Sequence, residues 1–221
     1  MKRIVRTFAV CAALFTGNVF AAVNSGDEKL DKYIEYLQKH WAEVNYTITN
    51  EEEKEAKMHN LALNAEAVTK QYPNYAEPKI WQAIIISSEA GIKGGLSALG
   101  LVKESKKLLE EAQTINPNAL DGSAYTSLGS LYYKVPGWPI GFGSNEEARK
   151  NLQKALQINP NGIDPNYFYG EFLYEVGEYP KAYETLQKAL KCPAREDRPL
   201  ADKGRKGEIM SLLAKVEKKL K

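Results

Sequence analysis

The stretch that decides the fold is residues 125–160, YTSLGSLYYKVPGWPIGFGSNEEARKNLQKALQINP. Its apolar and small residues recur at spacings of three and four, which is the pattern of a helix face, in two segments separated by a Gly/Pro-rich loop. The two faces consist of Tyr125, Leu128, Gly129 and Tyr132 in the first segment and Ala148, Leu152, Ala155 and Leu156 in the second. This pattern predicts two antiparallel helices packed on one another.

Local signals support this helix pair. Ser144 is followed three residues later by Glu147, which predicts a capping box at the start of the second helix. Pro160 predicts its end, because the residue before a proline disfavours the α conformation. Gly129 and Ala148 are small, so the two backbones can approach closely.

The same pattern recurs along the chain. Ala148 and Ala182 are 34 residues apart, and Pro73, Pro117 and Pro160, which end successive units, are 44 and 43 residues apart. The excess over 34 predicts longer loops at 91–100 and 135–143. Recurrence at a nearly fixed period predicts a repeat architecture. We therefore expect an all-α solenoid of about four antiparallel helix pairs in one domain, residues 22–221, with units at 27–73, 78–117, 122–160 and 163–193 and a capping helix at 199–221.

Residues 1–21 have the pattern of a secretory signal peptide. Basic Lys2, Arg3 and Arg6 precede a short apolar run, and Val19-Phe20-Ala21 is a suitable cleavage site. The apolar run is shorter than the ~20 residues of a spanning helix, so a membrane anchor is disfavoured, as is a lipoprotein acylated at Cys11. We expect a soluble periplasmic protein with no transmembrane segment.

Charge and residue usage exclude several function classes. Removal of residues 1–21 changes the formal net charge from +2 to −1, so nucleic acid is not an expected partner. Cys192 is then the only cysteine, and the two histidines, His40 and His59, are isolated. No metal site, cofactor or catalytic set is therefore expected. The remaining enzymatic alternative is a pair of carboxylates, Glu171 and Glu175, four residues apart on one helix.

The loop at 135–143 carries Trp138, Ile140 and Phe142 between two prolines and three glycines. Two interpretations stay open. In one, the loop is structural and folds its apolar residues onto the groove edge or the neighbouring repeat. In the other, it is a lid or wall of a binding pocket, because loops on rigid scaffolds often carry function.

At residues 125–160 and 166–193 the chain resembles the tetratricopeptide repeat (TPR) family, and residues 56–117 resemble two degenerate copies. More narrowly, the stretches 121–125, 131–139 and 161–167 resemble exported bacterial TPR proteins, including the TPR components associated with tripartite ATP-independent periplasmic (TRAP) transporters. A fainter likeness is to the regulator of microtubule dynamics proteins. The resemblance implies a superhelix whose concave face is lined by the first helix of each pair.

Helical geometry then selects the predicted groove, with Trp81 taken as the opening of a helix equivalent to the one that begins at Tyr125. Its lining consists of Gln82, Ile86, Glu89, Thr126, Ser130, Tyr133, Tyr167, Glu171 and Tyr174, with Trp138 closing one edge. Tyrosine and tryptophan suit binding, because each combines a large apolar area with a polar group. We expect a non-enzymatic periplasmic scaffold that binds a protein or peptide in this groove. The alternative is a small apolar ligand, bound as an accessory to a periplasmic transport system.

Overall fold

The computed structural model describes residues 23–221, and all regular secondary structure in this range is helical. The helices are α1 (Glu28–Thr47), α2 (Glu51–Gln71), α3 (Ala76–Lys93), α4 (Ala98–Ile115), α5 (Ala119–Lys134), α6 (Asn145–Ile158), α7 (Ile163–Glu175), α8 (Tyr179–Lys191) and α9 (Pro199–Leu220). Each helix packs on the next in the chain. The predicted all-α repeat architecture is confirmed. The predicted signal peptide lies outside the described residues.

Side-chain caps start two of the predicted helices. The Asn50 side chain accepts a hydrogen bond from the backbone N–H of Glu53 at 2.9 Å, at the start of α2. Ser144 Oγ accepts one from the N–H of Glu147 at 3.3 Å, at the start of α6. Only this half of the predicted capping box forms. The N–H of Ser144 donates instead to the carbonyl of Tyr132 at 2.8 Å, which ties the start of α6 to the end of α5.

Small residues lie where paired helices cross. A Cβ atom placed on Gly129 would lie 2.5 Å from Leu152 Cγ, and one on Gly170 would lie 2.7 Å from Leu186 Cγ. Neither position has room for a side chain. In the α3–α4 pair the equivalent contact is a hydrogen bond of 2.9 Å from the Ser105 hydroxyl to the carbonyl of Ala83.

One of the two predicted long loops is wrong. Gly91 lies inside α3 and Gly100 inside α4, so only residues 94–97 connect these helices. The extra length of this repeat is in the helices, since α3 and α4 have 18 residues each and α7 and α8 have 13 each. The second long connection, between the end of α5 and the start of α6, is present.

The helices form a closed ring rather than an open arc. The inner helices α1, α3, α5, α7 and α9 pack in succession, and α9 also packs on α1. Gly204 of α9 lies directly against the ring of Tyr46 in α1. Helix α9, which was expected only to cap the last repeat, therefore joins the two ends of the solenoid and buries Ile209, Leu213 and Val216.

Candidate functional site

A cavity of about 260 Å³ opens at one end of this ring. It is lined by the first turns of α3, α5 and α7, by the connections before α5 and α7, and by residues 193–198. Gln38 of α1 and the first described residues, Val23 and Asn24, complete the wall. All of the contributing helices belong to the inner layer, so the cavity is the mouth of the concave face.

The start of α5 has an unusual backbone that shapes the cavity wall. Leu120 and Asp121 have φ angles of 48° and 55°, in the left-handed region. The Ser123 hydroxyl donates a hydrogen bond of 2.6 Å to the carbonyl of Leu120 and closes this turn. As a result, Asp121, Ser123 and Thr126 all line the cavity.

An ion-pair network holds the cavity wall at the start of α7. Asp164, in the first turn of α7, accepts hydrogen bonds from Arg195 at 2.7 Å and from Arg205 at 2.8 Å. Arg195 also donates to Asp202 at 2.8 Å through Nε. Burial alone would raise the pKa of Asp164, but the two guanidinium groups hold that pKa well below its usual range. The network joins α7, α9 and the segment between α8 and α9.

Arg198 differs from these arginines. Its guanidinium lies 5.1 Å from the ring centre of Trp81, and it has no ion-pair partner within residues 23–221. Burial, together with the neighbouring charge of Arg195, lowers the pKa of Arg198 to about 10. Arg198 Nε and Trp81 Nε1 are both buried, and neither has a hydrogen-bond acceptor within residues 23–221.

Three predicted groove residues come together deeper in the ring. Glu171 accepts hydrogen bonds from the hydroxyls of Tyr133 at 2.5 Å and Tyr167 at 3.2 Å, and Lys134 Nζ lies 2.8 Å from its carboxylate. Burial favours a raised pKa for Glu171, but Lys134 and the hydrogen bonds lower it. Glu175 is exposed and is not part of this cluster. Glu171 is therefore an ionised, partnered carboxylate, which does not favour the carboxylate-pair interpretation.

The three predicted positions on α3 do not line the concave face. Gln82 donates to Glu104 of α4 at 3.3 Å, Glu89 accepts from His59 of α2 at 2.9 Å, and Ile86 packs in the core beside α1 and α2. The prediction aligned α3 on Trp81, whereas the structure places Ala83 at the α3–α4 crossing. The predicted register on this helix is wrong, so the ten residues do not form one continuous groove.

The other predicted positions divide between the cavity and the ring interior. Thr126, only 6% exposed, is the one predicted groove residue that lines the mouth cavity. Ser130 and Tyr174 are half-buried, and Tyr174 packs on Tyr179 with ring centres 5.7 Å apart. Neither Arg198 nor Asp164 is among the residues predicted from the sequence. One sequence feature could have indicated them. The segment 195–198 is charged, lies between two predicted helices and matches no position of the repeat pattern.

Trp138 does not close the groove edge, contrary to the prediction. It is 90% exposed at the tip of the α5–α6 loop, and Ile140 beside it is 55% exposed. Phe142 alone folds back, with its ring centre 5.7 Å from that of Tyr132. Backbone hydrogen bonds from Gly141 to Gly137, at 3.1 Å, and from Gly143 to Pro136, at 3.0 Å, hold the loop in shape.

The lining of the cavity has nearly equal polar and apolar surface, and polar and charged side chains outnumber apolar ones around it. Five asparagines line it, namely Asn24 before α1, Asn116 and Asn118 before α5, and Asn159 and Asn161 before α7. Such a lining favours a polar ligand over an apolar one. Within residues 23–221, no group of three or more His, Cys, Asp or Glu side chains is placed to hold a metal ion. Over the same range, no helix has the length and apolarity needed to cross a bilayer.

A stack of helix pairs with small residues at the α3–α4, α5–α6 and α7–α8 crossings defines the class of helical-repeat proteins. Residues 140–201 match the family model described as tetratricopeptide repeat. The crystal structure of a thermophilic TPR protein of Thermus thermophilus is similar over 86% of this chain and 91% of that chain, with a TM-score of 0.55 and 20% identity. No curated protein matches. The fold is thus that of a TPR protein.

Proposed function

We propose that this chain is a non-enzymatic periplasmic scaffold that binds a partner protein at the tip of the α5–α6 loop. The observation that carries the proposal is the exposure of Trp138 and Ile140 on a loop of fixed shape. Tryptophan contributes more binding energy at protein interfaces than most residue types. A loop that is already ordered loses little conformational entropy on binding, so its contacts contribute more fully to affinity.

The concave face offers less room for a folded partner. Helix α9 joins α1 and closes the ring, and Gln82, Ile86, Glu89 and Tyr167 are each less than 9% exposed. Gln82, Ile86 and Glu89 contact neighbouring helices, so they offer no surface to a bound peptide. This burial supports a partner on the outside, at the loop between two repeats.

The proposal also includes export to the periplasm and a role beside a transporter. The basic and apolar pattern of residues 1–21 supports export. The resemblance at 121–125, 131–139 and 161–167 supports a role beside a TRAP-type transporter. The alternative, a small apolar ligand inside the ring, is less well supported, because the mouth cavity is lined by amides and charged groups.

In-cell photocrosslinking tests the proposal. A photoreactive amino acid replaces Trp138 in the full chain, and crosslinked products are isolated from the periplasmic fraction and identified. We expect one partner protein to dominate, and we expect Ile140→Ser in the same chain to reduce its yield by about tenfold.

The matched control places the photoreactive residue at Leu96, which is 77% exposed in the short α3–α4 connection. This position has comparable exposure on the same ring but lies outside the proposed interface. Equal capture of the same protein from positions 96 and 138 would contradict docking at the loop. Recovery of the chain in the cytoplasmic fraction would contradict export.

A further inference from the structure

Two hydrogen-bond donors beside the mouth cavity lack acceptors. Trp81 is 3% exposed and lines the cavity, and its Nε1 has no partner among residues 23–221. Arg198 Nε, on the guanidinium that covers the Trp81 ring, also has none. A buried donor without an acceptor costs about 1–3 kcal/mol. These two atoms are enclosed, but the Arg198 side chain as a whole is half-buried, lines the cavity and makes no hydrogen bond within residues 23–221. Its guanidinium therefore indicates a site for an acceptor group of a ligand.

The start of α7 adds to the same electrostatic preference. No side chain caps its first N–H groups, and its N-cap residue, Gly162, lines the cavity. The start of α5 does not contribute in this way, because Leu120 and Asp121 have left-handed φ angles there. Free N–H groups at a helix start carry a partial positive charge and favour an anion.

The charged groups around the cavity show where this anion would lie. Arg195 is already neutralised by Asp164 and Asp202. Arg198 remains the cation without a partner in the described chain, and its lowered pKa reflects burial next to Arg195. An anionic group beside Arg198 and Trp81 would supply the missing acceptor and balance this charge.

The cavity also contains an acidic group that requires a different partner. Glu77, in the first turn of α3, lines the cavity and is 7% exposed, and it forms no ion pair within residues 23–221. Asp121 and Asp197 add negative charge at the rim. A ligand with several negative charges would be repelled by these carboxylates, whereas a ligand with one anionic and one cationic group would match both the guanidinium and the carboxylate.

We propose that this cavity binds a small zwitterion of the amino-acid class, with its carboxylate toward Arg198 and Trp81 and its ammonium group toward Glu77. The volume of about 260 Å³ suits a molecule of this size. The asparagines around the rim provide donors and acceptors for a polar side chain. This site is separate from the Trp138 loop. A negative result for the ligand site would therefore leave the proposed partner-binding role of the loop untouched, and the reverse also holds.

Isothermal titration calorimetry with the purified full chain tests the site. The probes are the common L-amino acids, each titrated separately to about 10 mM. We expect at least one of them to bind. Its 2-hydroxy-acid analogue, which lacks the ammonium group, and its methyl ester, which lacks the carboxylate, should each bind about tenfold more weakly or worse.

Variants test which residue binds the carboxylate of the ligand and which binds its ammonium group. Arg198→Gln and Glu77→Gln should each weaken binding by about tenfold, and Arg198→Lys, which keeps the charge, should weaken it less than Arg198→Gln. Lys203→Gln is the matched control, because Lys203 is exposed on α9 and its loss changes the net charge equally. It should leave the affinity unchanged, as should Trp138→Ala.

Three results would overturn the proposal. The first is the absence of binding by every amino acid. The second is equal binding of the hydroxy acid and the amino acid, which would mean a simple anion site. The third is unchanged affinity in a folded Glu77→Gln variant. Circular dichroism shows whether Arg198→Gln folds. If it does not, the analogue titrations on the unaltered chain and the affinity of the Arg198→Lys variant test the proposal instead.

Discussion

Gly129 lies so close to Leu152 that a Cβ atom on the glycine would be 2.5 Å from the leucine Cγ. The two residues mark the point where α5 crosses α6. Leu152 is fully buried there and fills the space that a side chain at 129 would occupy. The same relationship holds between Gly170 and Leu186 in the next pair. The distance between the helices of a repeat is therefore determined by the absence of a side chain at one position.

The first prediction concerns this crossing. Gly129→Ala should lower the free energy of unfolding by about 1–3 kcal/mol, because the added methyl group overpacks a tight contact. Urea unfolding followed by circular dichroism measures the change. Gly207→Ala is the control, since a Cβ at Gly207 of α9 meets no atom within 4 Å. There the usual helix preference should raise stability by about 0.5–1 kcal/mol. Equal effects at both positions would contradict the close crossing.

The second prediction tests the closure of the ring. Gly204→Ala should destabilise the chain by about 1–3 kcal/mol, because the new Cβ would collide with the ring of Tyr46 in α1. Tyr46→Ala in the same chain removes the collision, so the double variant should lose less than the two single losses added together. Thermal unfolding of the four chains gives the comparison. Strict additivity would show that α1 and α9 do not touch.

The third prediction concerns Asp164 and pH. The folded-state pKa of Asp164 lies below its unfolded value of 3.8, so folding favours the ionised form. The stabilisation is fully present above about pH 5 and is lost progressively as the pH falls below about 4. Asp164→Asn should cost about 3 kcal/mol at pH 7, because it removes the carboxylate that Arg195 and Arg205 share.

The pH dependence of stability distinguishes the contribution of Asp164 from that of the other carboxylates. Urea unfolding at several pH values should show a shallower loss of stability below about pH 4 in Asp164→Asn than in the unaltered chain. Asp197→Asn serves as the control, since Asp197 is exposed and has no ion pair in the described chain. Identical acid profiles for the unaltered chain and Asp164→Asn would contradict the assignment.

The fourth prediction concerns the cluster around Glu171. Glu171→Gln should destabilise the chain by about 1–3 kcal/mol, because an amide replaces the carboxylate that Tyr133, Tyr167 and Lys134 all contact. Glu175→Gln, at an exposed position of the same helix, should change stability by less than about 0.5 kcal/mol. If the two substitutions cost the same in urea unfolding, the Glu171 cluster would not be a stabilising contact.

The fifth prediction uses the three tryptophans as reporters. Trp41 and Trp81 are 8% and 3% exposed, whereas Trp138 is 90% exposed. Trp138→Phe should therefore remove most of the long-wavelength emission and most of the quenching by acrylamide, with a stability change of less than about 0.5 kcal/mol. Steady-state fluorescence and urea unfolding check these outcomes. Quenching that persists in the variant would mean that a second tryptophan is exposed.

Much of the secondary structure could be predicted from residues near one another in the chain. The cap at Ser144, the stop at Pro160 and the 34-residue spacing from Ala148 to Ala182 are local or periodic signals, and each corresponds to an observed helix end or packing position. The predicted register of α3 was wrong because Trp81 is a large apolar residue, as expected at a repeat position, but does not occupy that position. The α3–α4 loop failed because Gly91 and Gly100 are tolerated inside helices that tertiary packing stabilises.

By itself, the sequence determined that the chain folds into paired helices with small residues at their crossings. Backbone caps, prolines and the apolar period act over a few residues and need no knowledge of the rest of the chain. Only the tertiary structure decided that α9 meets α1, that Asp164 pairs with Arg195 and Arg205, and that Arg198 remains unpaired over Trp81 in the described chain. These contacts join residues far apart in the chain, and they depend on the curvature that accumulates as successive helix pairs stack.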